Sequence, residues 1–197
     1  MNNKKIFNIA FFGILSAIII VLMITGLAFI NIGTFASITI LHIPVLIGAF
    51  VLGKKYGVFL GFIFGMSSMI MAFILAGPNL PFTNPLLSVL PRMVFGFIVY
   101  PLYLLFSKLF KNKWISSAVT FGLCTFIHTI LVVTILFVVA RTGFFFYSSE
   151  NPYLIDANMV TFIVSCISIN CLIEVLLAIF VASPIAVALR SYIEKKE

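Results

Sequence analysis

Hydrophobic residues make up 63% of the 197-residue chain and charged residues only 9%, against about 25% charged in an ordinary soluble domain. This excludes a soluble cytosolic enzyme, and also a disordered chain, which needs low hydrophobicity and high charge. An integral membrane protein remains, with apolar sequence for about six crossings of about 20 residues each.

The first apolar run, residues 6–30, follows Lys4 and Lys5. It is longer than a signal-peptide core and lacks a convincing small-x-small cleavage site, so it is expected to persist as a first transmembrane helix. A turn over 31–36 leads to a shorter second span at 37–52, which ends at Gly53-Lys54-Lys55, and a third span covers 56–76. The loop over 77–85 holds three prolines, Asn79 and no charge. A fourth span at 87–106 is closed by the basic stretch around Lys108, Lys111 and Lys113, and Trp114 then stands as an interfacial anchor for a fifth span at 114–140. The polar segment 141–157 contains Glu150 and Asp156; a sixth span at 158–189 and a charged tail complete the chain.

Sorting the cations by alternate sides gives a strong asymmetry. Lys4, Lys5, Lys54, Lys55, Lys108, Lys111, Lys113, Arg190, Lys195 and Lys196 fall on one side, Arg141 on the other, and Arg92 inside a span. By the positive-inside rule both termini are cytoplasmic, which agrees with an even count of six. The net charge of +7 is thus topological, and no nucleic-acid partner is expected. The predicted fold is an all-α membrane protein, six transmembrane helices in one bundle, forming a single domain over 1–197.

Gly53, Gly57, Gly61 and Gly65 recur every four residues on the third helix, a spacing that lets another backbone approach closely. Ala10, Gly13 and Ala17 form a weaker seam on the first helix, suited either to internal packing or to docking another membrane protein. Cys124, Cys166 and Cys171 lie in apolar runs without metal-ligand or redox spacing and read as small buried side chains. There is no Ser/His/Asp set, no intramembrane aspartate pair and no His-x-x-x-His, so neither catalysis nor a metal or cofactor is expected.

An ionisable group inside a span is costly unless it meets a partner or a cavity, which makes each one a candidate for function. Arg92 lies near the outer end of the fourth helix, where it can snorkel outward or grip a carboxylate or phosphate. Glu174 is deep in the sixth span with Asn170 one turn earlier on the same face. It serves either a structural role, paired with Arg92 or protonated, or accepts hydrogen bonds from a ligand. Thr39 and His42 are expected at i and i+3 on one face of the second helix, and His128 near the middle of the fifth, each as a packed hydrogen-bonding group or a ligand contact. Together these describe an outward-facing pocket under the 77–85 loop, with Asn79 above it.

The stretch from Ser37 to Ala49, running on through Leu52-Gly53-Lys54-Lys55-Tyr56-Gly57 to Gly61, resembles the substrate-binding S components of energy-coupling factor (ECF) transporters, and within them the pantothenate group most. Pro91-Arg92 followed by Gly96 and Tyr100, and Asn170 with Glu174 leading into Pro184 and a basic tail, extend the resemblance over nearly the whole chain. It implies a non-enzymatic, vitamin-capturing protein of the cell membrane that works with a transmembrane coupling protein and two ABC-type ATPases. The family docks on its coupling protein through small residues of the first helix, often Ala-x-x-x-Ala; here Gly13 to Ala17 departs from that pattern. For pantothenate, the resemblance assigns Arg92 to the carboxylate, Asn170 and Glu174 to hydroxyl or amide hydrogens, and Thr39 and His42 to the polar rim. Another vitamin of the pyridoxine, thiamine, riboflavin or folate type, a self-sufficient secondary transporter using Glu174 and His128 as a proton relay, and a non-transport assembly factor are the alternatives.

Overall fold

The computed structural model describes residues 3–32, 36–75, 81–142 and 170–195. Cys166, the outer segment from 143 and the start of the expected sixth span lie outside the described residues, as does Asn79.

Among the described residues the chain is mainly helical. Helix α1, Asn3–Ile24, is followed by strands β1, Phe29–Ile32, and β2, Ala36–Thr39, and by the short helix α2, His42–Leu52. Helix α3 spans Lys54–Leu75, α4 is the single turn Pro85–Ser88, α5 spans Leu90–Leu109 and α6 Lys113–Thr142. The last rod comprises α7, Leu172–Leu177, a π-helical turn Ala178–Ala182, and α8, Ser183–Glu194. Five stretches are long and apolar enough to cross a bilayer, those containing α1, α3, α5, α6 and the last rod, while α2 is a shorter apolar helix. The lipid-facing character is direct: Ile14, Phe59, Leu105 and Phe180 are each more than half exposed, which water would not tolerate over so wide an area.

Two expected spans are shorter than their hydropathy. The first was expected over 6–30, but Gly26 adopts φ +73°, a conformation that glycine accepts and that stops a helix; α1 ends at Ile24. The second was expected over 37–52, but residues 36–39 instead pair antiparallel with 29–32, Phe29 opposite Thr39 and Ile32 opposite Ala36. The sequence Ser37-Ile38-Thr39-Ile40 is rich in β-branched residues, which favour strand. Pro44 lies in the first turn of α2, where its missing N–H costs no helical bond. Eleven residues of α2 rise only about 16 Å, short of a hydrocarbon core of about 30 Å.

The core is built where α2, α3, α5, α6 and the last rod converge, around Leu46, Phe50, Leu60, Phe95, Phe121 and Ala182. The tightest approach joins α3 to α5. A Cβ placed on Gly57 would strike the Gly96 carbonyl, one on Gly61 the Arg92 carbonyl, and one on Gly65 the backbone of Ser88 and Val89. Gly96 faces Gly57 reciprocally. Gly53 belongs to a different job. Its φ of +95° turns the chain from α2 into α3, and open space surrounds it.

At the lysine-bearing end, Lys113 Nζ meets Glu194 Oε2 at 2.8 Å and Arg190 Nε meets Glu194 Oε1 at 3.2 Å. Arg190 also stands over the rings of Phe50 and Tyr103, at 5.2 and 5.1 Å from their centroids. Within the bundle, Ser117 and Ser183 share a buried hydrogen bond of 2.6 Å that fixes α8 against α6.

The glycine contacts make a paired prediction. Gly57→Ala forces α3 from α5 at a cost of about 1–3 kcal/mol and should lower the melting temperature in detergent by at least about 2 °C. Gly13→Ala, which meets no atom within 4 Å, should leave it unchanged or slightly higher. Equal shifts in the two variants would contradict this account of the seam.

Candidate binding site

A cavity of about 240 Å³ opens between α3, α5, α6 and the last rod, and Thr39, Arg92, His128, Asn170 and Glu174 all line it. These five are among the residues that the sequence gathers into one expected pocket, and the fold brings them together from β2, α5, α6 and the last rod. Apolar side chains of Met71, Ala72, Val132 and Leu136 cover the remaining wall, with Phe82 on the loop side.

Arg92 sits in the first turn of α5, directly after Pro91, and is only 6% exposed. Its Nη1 donates to the Leu87 carbonyl at the end of α4. Its Cζ lies 5.4 Å from the centroid of Phe64 and 5.4 Å from that of Phe82. Its Nε is buried without a hydrogen-bond partner. It therefore does not snorkel: the side chain is turned inward and held.

Glu174 is similarly buried, and its Oε1 accepts a hydrogen bond of 3.0 Å from the Thr39 backbone N–H. The ion pairs found among the described residues are those of Glu194 with Lys113 and Arg190; Arg92 and Glu174 share the cavity without pairing. The carboxylate thus ties the end of the hairpin to the last rod and keeps Oε2 for another donor.

Thr39 and His42 do not share a helix face as expected, because Thr39 ends β2 and His42 begins α2. His42 lies behind the cavity wall, 1% exposed, with Nδ1 2.7 Å from the Thr39 carbonyl. A carbonyl only accepts, so Nδ1 carries the proton, and the imidazole braces Thr39 at its carbonyl. Thr39 is thereby fixed at both its N–H and its C=O.

His128 lines the cavity and packs 4.8 Å from the Phe95 ring and 6.3 Å from the Phe64 ring. Its Nε2 and the Asn170 Oδ1 are buried without partners. Phe64, Phe82 and the Leu87 carbonyl escaped the sequence reading: none is polar in side chain, and only the charge they surround gives them meaning. Far from the cavity, Ala10, Gly13 and Ala17 lie exposed on α1, so the seam is free of internal packing.

Comparison with known proteins adds a family. The sequence profile described as ECF transporter, substrate-specific component, matches residues 7–186. The chain is 28% identical to the pantothenic acid transporter PanT of Lactococcus lactis subsp. cremoris, covering 96% of each chain. It is 26% identical to the pantothenate transporter PanT of Leuconostoc mesenteroides subsp. mesenteroides, covering 93% of this chain and 92% of the relative.

The bracing of Thr39 can be measured. A hydrogen bond to a charged acceptor contributes about 1.5–3 kcal/mol, so Glu174→Ala should speed amide exchange at Thr39 by about tenfold or more. The check is hydrogen–deuterium exchange of the peptide spanning 36–41; unchanged protection there would show that Glu174 does not anchor the hairpin.

Proposed function

Because the chain belongs to the substrate-specific components of ECF transporters, a family of multi-pass membrane transporters, we propose that it captures pantothenate with high affinity and delivers it to an ATP-driven importer. The observation that carries the reading is the buried Arg92 guanidinium, with Nε unpartnered, lining a cavity that also holds the acceptors Asn170 and Glu174. Pantothenate presents one carboxylate, two hydroxyls, an amide and a gem-dimethyl carbon. Arg92 takes the carboxylate, Asn170 and Glu174 take hydroxyl or amide hydrogens, and Thr39 and His128 complete the polar lining. His42 contributes from behind by holding Thr39, and Asn79 adds a further polar contact. The apolar wall of Met71, Val132 and Leu136 suits the dimethyl carbon. A cationic vitamin would satisfy Glu174 but leave the Arg92 charge buried without an anion, which costs several kcal/mol. The names of the two relatives support the same vitamin.

The rest of the reading concerns the membrane and the partners. The chain forms a single six-helix bundle with both termini cytoplasmic, supported by the lysines gathered at one end. The partners are a transmembrane coupling protein and two ABC-type ATPases, and the coupling protein docks on the α1 face carrying Ala10, Gly13 and Ala17. The exposure of these three residues and the open space at Gly13 support that docking, since small residues allow close helix contact in lipid.

Arg92→Ala should weaken pantothenate binding to the purified protein by at least about tenfold, because the ligand carboxylate loses its charged partner, while expression is retained. Isothermal titration in detergent reads this, and unchanged affinity would remove Arg92 from the site. Gly13→Leu should abolish most pantothenate uptake in cells yet spare binding to the isolated protein. Uptake that persists without the ATPases would instead favour a self-sufficient transporter.

A further inference from the structure

We propose that Phe82 and Phe64 are positioning residues for recognition: by flanking the Arg92 guanidinium they hold its Nε–Nη2 edge for a planar carboxylate, and so make the site prefer that group over an uncharged one. This rests on the reading that the cavity captures pantothenate.

A guanidinium carries all its donors in its plane, and its two faces have none. In this protein the choice of donors is narrowed further. Nη1 is committed to the carbonyl of Leu87, a residue with no exposed surface. Among the described residues Arg92 hydrogen-bonds through Nη1 alone, so the pair left for a ligand is Nε with Nη2, which lie side by side along one edge. A carboxylate matches such an edge with two parallel hydrogen bonds. A hydroxyl offers one acceptor and no charge.

The two rings supply what the hydrogen bond to Leu87 cannot. A single bond at Nη1 leaves the plane of the group free to tilt, and water on its faces would weaken any anion at its edge. Phe64 comes from α3, where it is 2% exposed and packed beside His128. Phe82 comes from the segment entering α4 and lines the cavity itself. That segment is anchored: Asn84 Oδ1 accepts from the Leu86 N–H at 2.9 Å, and Thr83 and Asn84 are buried. Both rings stand 5.4 Å from Cζ, within the range of cation–π attraction, which grows when the cation is desolvated. One ring backs the group from the helix packing and the other screens it at the lumen.

The test compares affinities for pantothenate and for its alcohol analogue, in which a CH₂OH group replaces the carboxylate. Wild-type protein should prefer pantothenate by at least about tenfold. Phe82→Leu should lower that preference by about three- to tenfold, through weaker pantothenate binding with the alcohol nearly unaffected. Phe82→Trp, which keeps an aromatic face, should restore it. An unchanged preference in Phe82→Leu would overturn the positioning role and leave the pantothenate reading standing. Wild-type protein that binds neither compound would overturn the pantothenate reading itself. If Phe82→Leu does not fold, Phe64→Leu and Phe82→Trp decide: a preserved preference in the first, or a collapsed one in the second, overturns the inference.

Discussion

The close approach of α3 to α5 is the constraint on which the site depends. In a bilayer the lipid tails are as apolar as the side chains, so helices associate by packing and hydrogen bonding and not by escape from water. Gly57 and Gly61 let α5 come within backbone contact of α3, Gly96 answers from the other side, and Gly65 admits the end of α4 at Ser88 and Val89. The contact at Gly61 is with the carbonyl of Arg92 itself. The packing therefore sets the position of the residue whose charge the cavity needs, and it brings Phe64, one turn beyond Gly61 on α3, to the guanidinium.

A buried charge and several buried polar atoms are expensive unless satisfied, and their distribution is uneven. Ser116, Ser117 and Thr120, nearer the lysine-bearing end, find partners in carbonyls or in Ser183. Arg92 Nε, His128 Nε2 and Asn170 Oδ1 do not, and these three residues line the cavity; His42 Nε2, Ser88 Oγ and Thr125 Oγ1, outside its lining, are also without partners. Each unsatisfied buried group costs about 1–3 kcal/mol. For the three at the cavity, a small molecule with complementary donors and acceptors would remove that cost. The braced Thr39, held by Glu174 and His42, gives that cavity a rigid wall on the hairpin side.

Arg92, Glu174, Asn170, His128 and Thr39 were legible in the sequence because a polar group in an apolar run stands out against its neighbours. The hairpin was not. Its strands have four residues each and continue apolar runs, so hydropathy merges them with the helices beside them. Gly53 looked like the first rung of the glycine ladder because spacing is all a sequence offers; its backbone angle assigns it to a turn. Among 23 phenylalanines, nothing marked Phe64 or Phe82 until the structure put one cation 5.4 Å from both rings. The family resemblance supplied what residue chemistry left open, namely a captured vitamin and partners that hydrolyse ATP.

The π-helical turn at Ala178–Ala182 has its own consequence. Glu174, Ala178, Ala182 and Ala186 are buried at intervals of four, and on a regular α-helix each such step drifts by about 40°. The wider π turn winds part of that drift back, so that the row stays against α6. The segment carrying Glu174 and the one carrying Ser183 are thus in separate angular register. A π turn holds one residue more than regular winding needs, so rewinding it to α would turn Glu174 and Ser183 relative to each other and break the contact of one of them, with Thr39 or with Ser117.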